Sequence, residues 1–210
     1  MNRIPRKELI RKAWHVSPGI LGPPIVLFTP RWVTLIVVWS LAFLYTLQHL
    51  KLKRGWSFTV PVAGLSYEMM ARESEGDNYL GSFLFWVNLG IICTVFPKLP
   101  VLAALWVSTL GDCCNAIAGM SIGGPKIPWN QKKTIVGSAT MFIVSLFAIW
   151  LAHAVLGSKA DWTVATLIAL VATLLESLPI HSAYDEFTVP FGTALLMWSA
   201  YGGTLLSPTW

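Results

Sequence analysis

Asp112 lies near the end of an apolar run, in the order Gly111-Asp112-Cys113-Cys114-Asn115-Ala116, with Gly119 three residues further on. A loop with Gly123, Gly124 and Pro125 follows, carrying Lys126, Lys132 and Lys133, and a second apolar run then opens on Lys133-Thr134-x-x-Gly137-Ser138. Each part suits phosphate chemistry. A carboxylate such as Asp112 can hold a divalent cation or take a proton. The three lysines can neutralise phosphate oxygens, and a helix start near Lys133 offers amide N–H groups and the positive end of a dipole. Thr134 and Ser138, four residues apart, can add hydroxyl hydrogen bonds. The stretch is not a Walker A loop, because no glycine directly precedes Lys133 and no strand precedes the loop.

Further charged groups extend this constellation. Glu176 closes a late apolar run, three residues before Pro179, and Asp185 and Glu186 follow in a short polar stretch. With Asp112 they form the candidate ligand set for magnesium, which prefers a few carboxylates together with water and phosphate oxygens. Near the N-terminus, Glu8, Arg11, Lys12 and His15 recur at i, i+3, i+4 and i+7, so one helix face gathers them. The plain reading is a charged face that snorkels among lipid headgroups; the functional one is a share in a phosphate or headgroup site.

Helices must position these groups, because the chain is too apolar for a soluble domain. Hydrophobic residues make up 55% of it and charged ones 12%, and the mean hydropathy is +0.62. Repeated apolar runs of about 18 to 23 residues are long enough to cross a bilayer. Eleven tryptophans fit interfacial aromatic belts. The expected fold is all-α, a single polytopic membrane domain over residues 1–210 with about seven spans. These fall near residues 16–29, 33–50, 79–96, 100–120, 134–156, 162–178 and 189–206. Residues 1–15 read as an amphipathic lead-in that is retained, since Pro18, Pro23 and Pro24 break the apolar run a signal peptide needs. The same prolines predict a kinked first span.

Residues 56–77 read as an interfacial or re-entrant segment in which Glu68 and Arg72 are spaced to pair. Asn88, alone in the third run, is expected to bond a neighbouring helix. Ser108, Asp112, Asn115 and Gly119 share one face of the fourth. An aspartate there is costly unless it meets protein, water or a cation. Cys93, Cys113 and Cys114 lack metal or redox spacing and read as packed small residues. The net charge of +5 forms no aromatic-interleaved stripe, so nucleic acid is not an expected partner; anionic lipid and phosphate substrates are.

Lys and Arg are unevenly divided. Five lie before the first span, four in the second loop and three in the fourth, against one in each of the first, third and fifth loops. The positive-inside rule then predicts a cytosolic N-terminus. It also puts the nucleotide loop at 121–133 and the segment 181–186 on the cytosolic side, where nucleotide is available.

This ordered set resembles the membrane-embedded lipid-alcohol kinases: dolichol kinase, phytol and farnesol kinases, and CTP-dependent diacylglycerol kinase. The resemblance takes in Arg11-Lys12-x-x-His15, the central block, Arg72-Glu73, Phe96-Pro97-Lys98, Leu175-Glu176-x-Leu178-Pro179 and Asp185-Glu186-x-x-Val189-Pro190. Two positions depart from the pattern: Asn115 replaces the usual alanine, and Glu186 replaces the asparagine of an Asp-Asn pair. The resemblance implies CTP as donor, Mg2+ as cofactor and a long-chain lipid alcohol as acceptor. It implies catalytic roles for Asp112, Lys133 and Asp185, and metal ligation by Asp112, Glu176, Asp185 and Glu186. Nucleotide would be bound by Lys126, Lys132, Lys133, Thr134, Gly137 and Ser138, with Arg11, Lys12 and His15. A CDP-lipid synthase would use the same parts, but its His-Gly-Gly-type segment is missing. A small transporter would use Asp112 and Glu176 as an ion relay, though no internal repeat supports it.

Overall fold

The computed structural model describes residues 5–70, 79–206 and Trp210. Arg72 and Glu73 lie outside the described residues. Helix α1 runs unbroken over Arg6–Phe28, so the amphipathic lead-in and the first apolar run form one element despite three internal prolines. Each proline leaves the carbonyl four residues back without its helical donor. Two of those carbonyls are used elsewhere. The Ser17 hydroxyl donates to Trp14 O at 2.7 Å, and the Trp106 indole donates to Gly19 O at 2.9 Å, tying α1 to the centre of the molecule.

That centre is one long helical rod over Lys98–Ser121. It comprises α5 (Lys98–Trp106), a π turn (Val107–Gly111) and α6 (Asp112–Ser121). Pro100 to Trp106 are buried without exception. Within its most apolar stretch the rod is 61% buried, against 28% for α2 (Arg31–Arg54) and 33% for α7 (Ile135–Val155), so the others pack around it. Close approach has a sequence cause. A Cβ on Gly111 would stand 2.6 Å from Met141 Sδ, and one on Gly137 would stand 2.5 Å from Asn115 Oδ1. Glycine at both positions lets α7 lie against the rod.

The remaining elements are α3 (Ala63–Met70), α4 (Leu80–Val95), α8 (Trp162–Ser177) and α9 (Ser182–Tyr201). Asn88 behaves as its position predicts. Its Nδ2 donates to Phe187 O at 2.8 Å and to Glu186 O at 3.3 Å, and Pro190 is the residue that deprives Glu186 O of its helical donor. Buried Arg31 donates to the carbonyls of Cys93, Thr94 and Phe96, the open end of α4.

The all-α expectation needs one amendment. Within the segment read as a loop, β1 (Lys126–Ile127) pairs antiparallel with β2 (Asn130–Thr134). Among the described residues, three helices are long and apolar enough to cross a membrane: Arg31–Arg54, Lys98–Ser121 and Ile135–Val155. Helices α4 and α8 are apolar but shorter. Outward faces carry exposed Trp32, Ile36, Phe43, Ile143, Phe147 and Leu167, an apolar surface of the kind that meets lipid.

Candidate active site

The charged residues singled out from the sequence converge at one end of the bundle, where α1 begins, α6 and α8 end and α9 starts. The opposite end holds the α1–α2 turn, with the Lys98 ammonium donating to Leu27 O, and the contact of Asp161 N with the Tyr201 hydroxyl.

Two ion-pair groups build the site. In the first, Lys12 Nζ, on a residue only 4% exposed, donates to Asp112 Oδ2 at 2.5 Å. His15 Nε2 lies 3.4 Å from the same oxygen, and its Nδ1 lies 3.7 Å from Glu186 Oε1. In the second, Lys133 Nζ stands 2.5 Å from Glu176 Oε1 and 2.9 Å from Asp185 Oδ2, and also donates to Glu176 O. Asn115 Nδ2 donates to the same Glu176 oxygen at 2.5 Å. Burial draws the Lys133 ammonium down, but Glu176 and Asp185 outweigh it and hold its pKa above the ordinary lysine value. Asp185 sits in the first turn of α9, ahead of the apolar run that starts at Val189. Burial lifts its carboxyl to about 7, opposed by Lys133 and reinforced by Glu176 and Glu186.

Around these pairs lie two cavities. One, of about 900 Å³, is polar; Lys126, Lys132, Lys133, Thr134 and Asn130 line it together with Gly123 and Gly124. Lys126 and Lys132 are exposed and form no ion pair among the described residues. Asn130 anchors the hairpin by donating to Ser177 O at 3.2 Å and Leu178 O at 3.0 Å, and its Oδ1 accepts from Lys132 N. Ser108, Asp112, Asn115 and Gly119 all face this cavity, so the polar stripe predicted for the fourth run survives the π turn. The other cavity, of about 350 Å³, is apolar and lies between α1, α2 and α4. Arg11, Lys12, Gly81, Asp112 and Glu186 belong to both linings. His15 faces only the apolar cavity.

Two of the expected nucleotide-binding residues sit apart. Gly137 and Ser138 line neither cavity. Gly137 packs on Asn115, and its N–H donates to the Thr134 hydroxyl at 3.0 Å, which caps α7. Ile135 N–H is likewise taken, by Pro125 O at 3.0 Å. Conversely, Asn115 and Asn130 enter the site without having been singled out as binding residues. The spacing of Asn115 from Asp112 was the available signal for the first; Asn130 had none.

Among the described residues no group of three His, Cys, Asp or Glu is arranged to hold a metal ion. The donor set nevertheless fits a hard cation. Four carboxylates meet only two lysines and one histidine, and Glu176 Oε2 and Asp185 Oδ1 are buried without a hydrogen-bond partner among the described residues. Buried anionic oxygens left so are costly until a cation or donor reaches them.

Similar proteins carry related names. The chain is 28% identical over 214 residues to phytol kinase 1, chloroplastic, of Arabidopsis thaliana, which covers 94% of this chain and 68% of that one. It is 31% identical over 148 residues to a probable phytol kinase, chloroplastic, of Triticum aestivum, covering 64% of this chain and 49% of that protein. With CTP-dependent diacylglycerol kinase 1 of Saccharomyces cerevisiae the identity is 24% over 219 residues, covering 92% and 73%. No protein-family model and no solved structure matches the chain. Along most of its length the chain is thus similar to proteins named as phytol and diacylglycerol kinases, and Asp112 and the lysine hairpin gather at one site.

Proposed function

We propose that the protein transfers the terminal phosphate of a nucleoside triphosphate, CTP, to the hydroxyl of a lipid alcohol, at a site facing the cytosol. One observation carries this reading: Asp112 stands in the wall common to a polar, lysine-lined cavity and an apolar one. A reaction between a polyanion and a membrane alcohol needs such a boundary.

In this mechanism Lys126, Lys132 and Lys133 neutralise the triphosphate, while the Gly123–Gly124 turn leaves room for it. Lys133 exchanges part of its contact with Glu176 and Asp185 for a phosphate oxygen. Asp112, held by Lys12 and beside His15, orients the acceptor hydroxyl toward the terminal phosphorus. As the new O–P bond forms, the bond from that phosphorus to the bridging oxygen breaks and leaves the nucleoside diphosphate. Asp112 receives the hydroxyl proton late, which suits a loose transition state. Asp112, Glu176, Asp185 and Glu186 are the groups that would hold Mg2+, which when bound supplies charge neutralisation on the phosphate oxygens.

The test is product analysis with purified protein, labelled CTP, ATP or UTP, and a panel of lipid alcohols. Nucleoside diphosphate and a lipid monophosphate are expected, with CTP preferred. Pyrophosphate release would instead indicate cytidylyl transfer, and no turnover with any donor would remove the kinase reading.

A further inference from the structure

Lys133 is fully engaged before any ligand reaches it. An ammonium has three N–H donors, and here they meet three acceptors: Glu176 Oε1 at 2.5 Å, Asp185 Oδ2 at 2.9 Å and the Glu176 carbonyl. To hold a phosphate oxygen this lysine must give one of them up. The two carboxylates differ in what they would then lose. Asp185 has no second donor among the described residues, and its Oδ1 is already buried without a partner there. Glu176 Oε1 has one, because Asn115 Nδ2 donates to it at 2.5 Å. Glu176 is 3% exposed, so water cannot readily replace a departing donor.

Asn115 is itself pinned. It is buried, and Gly137 of α7 closes on its other amide atom so tightly that a Cβ there would stand 2.5 Å from Oδ1. The reverse orientation of the amide would set Oδ1 against the carboxylate, acceptor against acceptor, so the nitrogen faces Glu176. Asn115 also lines the polar cavity together with Lys126, Lys132 and Lys133.

We propose that Asn115 is a positioning residue for nucleotide. It retains Glu176 Oε1 when Lys133 leaves that oxygen, pivots on Asp185 and turns the freed N–H to a phosphate oxygen. The contact with the glutamate side chain is thereby the one that the lysine releases at least cost. This rests on the kinase reading, since the phosphate is that of the nucleoside triphosphate.

The test is a double-mutant cycle on the full chain in lipid vesicles: wild type, Asn115→Ala, Glu176→Gln and the two together. Binding of labelled CTP, ATP and UTP is measured without acceptor, and KM, kcat and Tm alongside. Asn115→Ala should raise the Kd of the preferred nucleotide about tenfold in the wild-type background. Where Glu176→Gln has already removed the charge that holds Lys133, it should change Kd by less than about twofold. The nucleotide KM should rise about as much as Kd with kcat within about threefold, since the exchange is complete before the chemical step. Asn115→Leu, close in size and without a donor, should behave as the alanine variant does and carries the test if that variant fails to fold. Nucleotide binding unchanged in both variants, or an equal loss in both backgrounds that follows Tm, overturns the proposal and leaves the kinase reading standing. Wild type that binds none of the three nucleotides overturns the kinase reading and the proposal with it.

Discussion

Lys12 Nζ meets Asp112 Oδ2 at 2.5 Å across a separation of one hundred residues, and this pair joins the first helix to the end of the central rod. The Lys12 side chain is 5% exposed and that of Asp112 34%, so the lysine depends on the aspartate more than the reverse. Asp112→Asn should therefore abolish turnover, by several orders of magnitude, and also lower stability. Lys12→Met with Asp112→Asn should restore most of the thermal stability without restoring activity, because a buried pair removed together leaves no uncompensated charge. Thermal melts and transfer assays on the three proteins check this. Activity of Asp112→Asn within about tenfold of wild type would remove Asp112 from the mechanism.

Lys133 lies between Glu176 and Asp185 in the polar cavity, whereas Lys159 lies at the opposite end of the bundle, near Asp161. A charge-assisted phosphate contact is worth roughly 1.5 to 3 kcal/mol, so Lys133→Ala should cost about ten- to a hundredfold in kcat/KM for nucleotide. Lys159→Ala should cost little. Lys133→Arg keeps the charge with a different geometry and should recover only part of the loss. Equal losses at 133 and 159 would assign these charges to stability instead.

Asp185 gives a pH dependence of defined sign. Its carboxyl is lifted to about 7 in the folded chain, while an exposed aspartate releases its proton near about pH 4. Between these values the folded state binds more protons than the unfolded one, so stability falls as pH rises through that window and levels off above it. Glu186, also raised by burial, adds to the fall. Asp185→Asn should reduce the slope of Tm against pH. A wild-type Tm that rises over the same interval contradicts the assignment.

The ends of the bundle predict membrane sidedness. Gln131 and Tyr184 are exposed at the site end and Lys159 at the other. Single cysteines at 131 and 184, on a background lacking the three native cysteines, should label from the cytosolic side, and a cysteine at 159 from the opposite side. Labelling of 131 and 184 from different sides would break the composite site.

Much of this molecule was already legible in residue order. Apolar runs bounded by charges and prolines set the helices, because a backbone deprived of water must satisfy its hydrogen bonds internally. The same order marked Asp112 as a charge too costly to bury without purpose, and the lysine segment, Glu176 and Asp185 as groups suited to phosphate and metal chemistry. What residue order could not determine was partnership. Nothing local pairs Lys12 with Asp112 or Lys133 with Glu176; those choices depend on how α1 and α8 pack on the central rod. Nor could residue type reveal that Gly137 and Ser138 turn away from the cavity, since a helix start looks alike whether its amides are free or already spent on Thr134 and Pro125. The apolar cavity had no sequence mark at all. Val37, Leu41 and Leu89 read as ordinary lipid-facing or core residues, and only the relative placement of α1, α2 and α4 makes them walls of a cavity that reaches a carboxylate.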